Sequence, residues 1–265
     1  MSRLAEVFAA DRRTALVAYV TVGYPSVEAT LEVVPRLVEG GCDIIELGIP
    51  FSDPLADGAT IQKASHQALE SGVTPSVCLD VAAQLSRTVD VPLVFMSYYN
   101  PILHRGVERF CDGCVRSGVD GLIVPDLPPD EADELDTAAC SHGMDLICLL
   151  APTATKRRIE LAAERSRGFL YLVSLTGVTG AREKLSEGLE DFVERVRDVT
   201  RLPLCVGFGI STPAQAAQVG RIADGVIIGS RILSLMEADP SLGEVRRFVS
   251  EVRLALDSQD PLMCG

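Results

Sequence analysis

Short runs of apolar residues recur along the whole chain and alternate with longer segments in which apolar residues return every third or fourth position. The short runs are bounded by Gly, Pro or Asp, which is typical of buried β-strands, and the longer segments are typical of amphipathic helices. The predicted strands are 15–21, 43–47, 92–96, 121–124, 145–149, 169–173, 204–206 and 225–228. The predicted helices are 4–10, 26–39, 60–71, 75–88, 105–117, 130–142, 155–166, 187–199, 212–219 and 240–256.

This order of elements predicts one α/β domain over residues 1–265. Uninterrupted apolar strands are typical of parallel sheets covered by helices, so eight strand–helix units favour a single (β/α)8 TIM barrel with an extra N-terminal helix. A doubly wound open sheet is the alternative. Against it, the segment VTVGYP after the first strand lacks the GxGxxG pattern of a dinucleotide site.

Composition narrows the function classes. The net charge of -13 argues against binding a nucleic-acid backbone. Eight scattered cysteines, no signal-peptide pattern and no apolar run long enough to span a membrane together predict a cytoplasmic protein. Cys111 and Cys114 form a lone CxxC without histidines at zinc-like spacing, so we expect no metal site.

Three carboxylates lie in or just after the second half of the second predicted strand. In a barrel of this kind, reactive groups lie at the C-terminal ends of strands and in the loops after them. Glu46 lies near the end of its strand among apolar neighbours, where burial is expected to raise its pKa toward neutrality. Asp53 and Asp57 lie in the next loop, and both also suit ordinary turns before Pro and Gly, so spacing does not decide between them.

Glycines and hydroxyls follow the last two strands. Gly207, Gly209, Gly229 and Ser230 lie where barrels of this kind often bind phosphate through free backbone N–H groups, although the glycines also suit tight turns. The segment 174–180 fits a mobile lid and an ordinary surface loop equally well. Aromatic residues near the same strand ends suggest a pocket for a flat apolar group: Tyr19, Tyr98, Tyr99, Tyr171 and Phe208.

Several motifs together resemble one family. The segment 44–62, IIELGIPFSDPLADGATIQ, closely resembles the signature of the α subunit of tryptophan synthase. The motifs AYVTVGYP, MSYYNP, GLIVPDLP, LLAPT, YLVSLTGVTGAR, VGFGIS and GVIIGS also resemble that family and occur in its order. The resemblance therefore covers essentially the whole chain.

This resemblance implies a barrel that cleaves indole-3-glycerol phosphate to indole and glyceraldehyde 3-phosphate by a retro-aldol step. It implies no cofactor in this chain, with PLP only in a β-subunit partner of an α2β2 complex. Glu46 matches the family's acid/base, Asp57 matches the carboxylate at the indole N–H, and Tyr171 matches a residue that lines the site and is expected to be catalytic with them. The other implied positions are a substrate and phosphate cradle at Gly180, Gly207, Phe208, Gly209, Gly229 and Ser230, an indole pocket at Tyr19 and Tyr98, and a partner-facing loop at Asp53 and Pro54.

Two other functions fit the same motifs. A stand-alone lyase would release free indole without a partner. A catalytically silent barrel would only bind and activate a β-subunit-like partner, although the presence of both Glu46 and Asp57 argues against that role.

Overall fold

The computed structural model describes residues 1–9, 13–174, 188–207 and 209–258. Its strands are short and almost entirely buried, which explains why their sequences lack the alternation of a half-exposed sheet. They are β1 Ala15–Thr21, β2 Ile44–Gly48, β3 Leu93–Met96, β4 Gly121–Ile123, β5 Asp145–Ile147, β6 Leu149–Leu150, β7 Leu170–Val173, β8 Leu204–Gly207 and β9 Gly225–Ile228.

Helices cover the outside of the sheet. Several begin at a residue whose side chain caps the helix N-terminus. The hydroxyl of Ser26 accepts a hydrogen bond from Ala29 N–H, and the hydroxyl of Thr74 accepts one from Val77 N–H. The helices are α1 Arg3–Ala9, α2 Val27–Glu39, α3 Ala59–Glu70, α4 Pro75–Leu85, α5 Tyr99–Arg105, α6 Val107–Arg116, α7 Asp133–Ser141, α8 Lys156–Arg165, α9 Leu189–Arg197, α10 Pro213–Gly220, α11 Ser230–Ala238 and α12 Gly243–Asp257, with a 3-10 turn at Pro129–Glu131.

The strands form one parallel sheet in the order β5-β4-β3-β2-β1-β9-β8-β7-β6. Its two ends, β5 and β6, are separated in the chain only by Cys148. The Cys148 N–H donates to Ser166 Oγ (2.9 Å), while its carbonyl accepts from Tyr171 N–H (3.1 Å). β5 and β6 are therefore two parts of one barrel strand, and the sheet closes on itself. The predicted (β/α)8 barrel with an N-terminal helix is confirmed.

The N-terminal end of the barrel is closed by α1 and by a repeated aspartate contact. Leu4 of α1 is fully buried. An aspartate just before a strand accepts an N–H from the first or second residue of the neighbouring strand in three places: Leu16 N–H to Asp43 (2.8 Å), Leu93 N–H to Asp120 (2.9 Å) and Leu204 N–H to Asp224 (2.7 Å). An arginine pairs with each aspartate: Arg253, Arg3 and Arg197. These contacts join adjacent strands at the face opposite the strand C-termini.

One predicted strand was too long and two helices were missed. The predicted strand 145–149 breaks at Cys148, because that residue's N–H leaves the sheet for Ser166. The sequence reading missed α5 (Tyr99–Arg105), which accommodates Pro101 because proline is tolerated in a first helical turn. It also missed α11, which begins directly after β9 at Ser230. Among the described residues, no helix combines the length and the apolar character needed to cross a membrane.

Candidate active site

Glu46 is buried in β2, two residues before the C-terminal end of the strand. It pairs in register with Tyr19 of β1 and Val94 of β3, so these side chains point to the same face of the sheet. The residue is 1 % exposed, and within the described part of the chain neither oxygen of its carboxyl group has a hydrogen-bond partner. Burial raises the pKa of Glu46 to about 8, and the charge of Asp57 adds to the rise. Glu46 is therefore mainly protonated at pH 7.

Asp57 lies in the loop between β2 and α3 and is also buried, whereas Asp53 of the same loop is exposed and contacts Ser52. The Tyr98 hydroxyl donates to Asp57 Oδ2 (3.1 Å), and Gln62 Nε2 donates to the Asp57 carbonyl (2.9 Å). Burial raises the pKa of Asp57 to about 6, although the hydrogen bond from Tyr98 opposes that rise. The structure thus brings Asp57, and not Asp53, to the buried mouth beside Glu46.

The two carboxyl groups have different charges at neutral pH. With pKa values of about 8 and about 6, Glu46 holds a proton while Asp57 is ionised. Environments that separate the pKa values of two neighbouring acids are typical of a general acid working beside a charge-stabilising carboxylate. The arrangement can donate a proton to one atom of a ligand and stabilise positive charge at another.

Two tyrosine rings lie at the same mouth, and glycines make room for them. Tyr19 and Tyr171 are each 5 % exposed. A Cβ atom on Gly48 would overlap the Tyr19 hydroxyl, and one on Gly207 would overlap the Tyr171 hydroxyl. A Cβ on Gly229 would come within 3.1 Å of the Tyr19 ring. These glycines therefore determine where the aromatic walls of the pocket lie.

The rim after β8 and β9 can bind an anion. Gly209 has a φ of +81°, which lets the chain turn sharply after β8. Gly229 is the N-cap of α11 and provides no side-chain cap, so the backbone N–H groups of the first turn, starting at the exposed Ser230, remain open to an anionic ligand. Gly207 is the last residue of β8 rather than part of the loop. Gly180 and Phe208 lie outside the described residues.

Sequence reasoning missed two features of the site. It placed Tyr98 in a pocket wall but gave no sign of its hydrogen bond to Asp57, because the two residues are far apart in the chain. It also overlooked Gly48, whose position directly after the strand run would have marked a close approach. In the described ranges, no group of three His, Cys, Asp or Glu side chains is arranged to hold a metal ion.

An α/β barrel with a protonated and an ionised carboxyl group at one mouth, beside a helix that begins without a side-chain cap, has the features of an enzyme of the acid–base class. Comparison with known proteins shows the family to which this chain belongs. The family model "Tryptophan synthase alpha chain" matches residues 6–256. Tryptophan synthase alpha chains of Dehalococcoides mccartyi and Chloroflexus aurantiacus are 57% and 50% identical, each over 97% of this chain and over 100% and 98% of their own length.

Solved structures of tryptophan synthase chains also match this fold. A tryptophan synthase chain from Mycobacterium tuberculosis matches with a TM-score of 0.90 and 41% identity, over 96% of this chain and 98% of that one. The alpha chain of Legionella pneumophila subsp. pneumophila matches with a TM-score of 0.89 and 36% identity, over 98% and 99%. The chain therefore belongs to the tryptophan synthase alpha chain family, carbon–carbon lyases of tryptophan biosynthesis, and the resemblance of its motifs is confirmed.

Proposed function

We propose that Glu46 and Asp57 carry out the retro-aldol cleavage of indole-3-glycerol phosphate to indole and glyceraldehyde 3-phosphate. Protonated Glu46 gives its proton to the ring carbon that bears the side chain, and ionised Asp57 accepts a hydrogen bond from the ring N–H, which becomes more acidic as the ring gains positive charge. The carbon–carbon bond then breaks and its electrons return to the ring. The hydroxyl on the departing carbon loses its proton to the Glu46 carboxylate and becomes the aldehyde, so Glu46 ends the cycle protonated.

The remaining site residues bind the substrate in this proposal. Tyr19, Tyr98 and Tyr171 form the walls for the indole ring. The phosphate lies against the backbone around Gly209 and Gly229, with the other cradle positions at Gly180, Gly207, Phe208 and Ser230. The observation that carries the proposal is the buried pair of acids with opposite ionisation beside an uncapped helix N-terminus. No step in this scheme requires a cofactor in this chain.

Indole release from indole-3-glycerol phosphate tests the mechanism. Because the reaction needs Glu46 protonated and Asp57 ionised, we expect a bell-shaped pH profile with limbs near the pKa values of about 6 and about 8. Glu46→Gln and Asp57→Asn should each lower kcat by about two to four orders of magnitude without unfolding the chain. Asp53→Asn, the matched change at the exposed aspartate, should retain activity. Turnover close to wild type in either of the first two variants would remove that residue from the mechanism.

We also propose that the chain docks a PLP-bearing β subunit, in an α2β2 complex in the cytoplasm, through the loop that contains Asp53 and Pro54. Leu55 lies in this loop and, at 92 % exposed, is the most exposed large apolar side chain in the described part of the chain. Beside the loop lies a groove of about 420 Å³, lined by Pro50, Pro75, Ser76, Asn100, Pro101, His104 and Arg105. An exposed leucine next to a proline-rich groove suits an apolar protein partner. The free thiols of the described cysteines suit a reducing compartment.

Sedimentation of the chain with a purified tryptophan synthase β subunit tests this surface. Leu55→Asp should weaken complex formation at least tenfold, because it places a charge in an apolar contact. Leu254→Asp makes the same change at a leucine of α12 that is 69 % exposed, and it should leave the affinity unchanged. Equal effects of both variants would contradict the proposed surface. A rate of indole release that the β subunit does not increase would favour a stand-alone lyase, and a chain that never releases indole would be a silent binding barrel.

A further inference from the structure

Tyr98 is held by two hydrogen bonds at the junction between β3 and α5, where it is 5 % exposed. Its hydroxyl accepts a hydrogen bond from Ala56 N–H (2.9 Å) and lies 3.1 Å from Asp57 Oδ2. Because a backbone N–H can only donate, the tyrosine's own proton is left to point at the carboxylate. The direction of the Tyr98–Asp57 hydrogen bond is thereby fixed by the neighbouring peptide group.

The Tyr98 ring is held as well. Phe51 stacks on it with ring centroids 5.0 Å apart and an interplanar angle of 26°. Phe51, Ala56 and Asp57 all belong to the loop between β2 and α3, so this loop contacts the tyrosine at both its ring and its hydroxyl. Tyr98 therefore holds the loop that carries Asp57 through contacts with three of its residues.

This contact leaves the two oxygens of Asp57 in different states. Oδ2 is engaged by Tyr98, while the buried Oδ1 has no hydrogen-bond partner in the described part of the chain. A buried carboxylate oxygen without a partner is costly unless a ligand satisfies it. We propose that Tyr98 is a positioning residue for the reaction, whose hydroxyl turns Asp57 so that Oδ1 meets the substrate N–H and keeps this carboxylate ionised at neutral pH. The substrate in this statement rests on the proposed function.

Few other groups titrate near Asp57. The charge of Asp57 acts on Tyr19 and Tyr171, but the pKa of each of these phenols is raised by burial, so both stay neutral throughout the working range. Glu46 also faces Asp57, and its pKa of about 8 places its titration on the alkaline side. Asp126 accepts a hydrogen bond from the backbone N–H of Tyr99 (2.9 Å), and its charge acts on Tyr98 rather than on Asp57. The acid limb of the pH profile therefore belongs to Asp57.

Tyr98→Phe tests the proposal, because it keeps the ring that stacks on Phe51 and removes only the hydroxyl. Loss of a hydrogen bond to a charged group should raise the pKa of Asp57 by about one to two pH units. The measurement is a pH titration of the aspartate side-chain carbons by ¹³C NMR in the full chain without substrate. The spectrum of Asp57→Asn identifies the signal of Asp57 by its absence.

Tyr99→Phe is the matched control: it removes a hydroxyl from the adjacent, partly buried tyrosine, which makes no hydrogen bond to Asp57. We expect the Asp57 titration of this variant to coincide with that of the wild type. In the cleavage assay, the acid limb of kcat/KM should move upward in Tyr98→Phe by the same amount as the NMR titration and stay in place in Tyr99→Phe. An unmoved Asp57 titration in Tyr98→Phe, or an equal shift in both variants, would overturn the proposal.

The two readouts separate this inference from the proposed function. The NMR titration needs no substrate, so it tests the effect of Tyr98 on Asp57 even if no variant releases indole. Absence of indole from the wild type would reject the proposed reaction alone. A shifted titration with an unshifted acid limb would reject Tyr98 as a positioning residue for catalysis.

Discussion

Glu46→Gln should make the chain more stable at alkaline pH. The buried carboxyl group of Glu46 is neutral in the folded chain until the pH approaches its pKa of about 8, whereas an ordinary glutamate ionises around 4.5. Glutamine has the same shape and remains neutral at every pH. Any difference in stability that depends on pH therefore reports the ionisation of Glu46 itself.

The sign and size follow from proton linkage. Below about pH 4.5 both the folded and the unfolded chain hold the Glu46 proton, so its ionisation does not change the free energy of unfolding. As the pH rises toward 8, the unfolded chain loses the proton while the folded chain keeps it, and the free energy of unfolding falls. The gap between the two pKa values corresponds to a loss on the order of 5 kcal/mol, complete above about pH 8. Glu46→Gln does not lose this stability.

Urea unfolding at a series of pH values from 5 to 9 measures the effect. The unfolding midpoint of Glu46→Gln should be close to that of the wild type at pH 5 and should exceed it increasingly up to pH 8.5. Glu164→Gln, the same change at an exposed glutamate of α8, should follow the wild type at every pH. A difference between Glu46→Gln and wild type that is the same at pH 5 and pH 8.5 would refute the reasoning.

Two further changes test the packing. Gly207→Ala should reduce stability by about 1–3 kcal/mol and impair indole release, because its Cβ would displace the Tyr171 hydroxyl, whereas Gly243→Ala, which meets only ordinary contacts, should do neither. Midpoints from urea unfolding and kcat/KM measure both effects. Asp120→Ala should cost about 1–3 kcal/mol, because it leaves the Leu93 N–H unpaired, but it should not change kcat at 25 °C. A changed kcat with an unchanged unfolding midpoint would contradict that role.

Most of the fold follows from local patterns in the sequence. Continuous apolar strands could only be buried by helices on the outside and side chains inside, so the barrel was predictable. The break at Cys148 was not, because it depends on the hydroxyl of Ser166, a residue beyond the next helix. Likewise α11 was missed because it follows β9 without an intervening loop, and helix starts are usually recognised by such loops.

The sequence could suggest the residues of the candidate site but not their electrostatics. Glu46 was proposed because it lies among apolar residues near the end of its strand, and Asp57 because its motif resembles a known family. Neither the contrast between Asp57 and the exposed Asp53 nor the pKa values can be read from spacing. They depend on burial and on the hydroxyl of Tyr98, which a different strand brings to the loop.

The glycines that accommodate the tyrosine rings restrict the order in which this pocket can change during evolution. As long as Tyr19 is present, a larger residue at Gly48 collides with its hydroxyl, and Tyr171 blocks Gly207 in the same way, while a Cβ at Gly229 would make a tight contact of 3.1 Å with the Tyr19 ring. A smaller residue must therefore first replace the tyrosine before the glycine can vary. Substitutions at these positions are therefore expected to occur in a fixed order. A relative that lacks glycine at position 207 should also lack the tyrosine at position 171, and the tyrosine should have been replaced first.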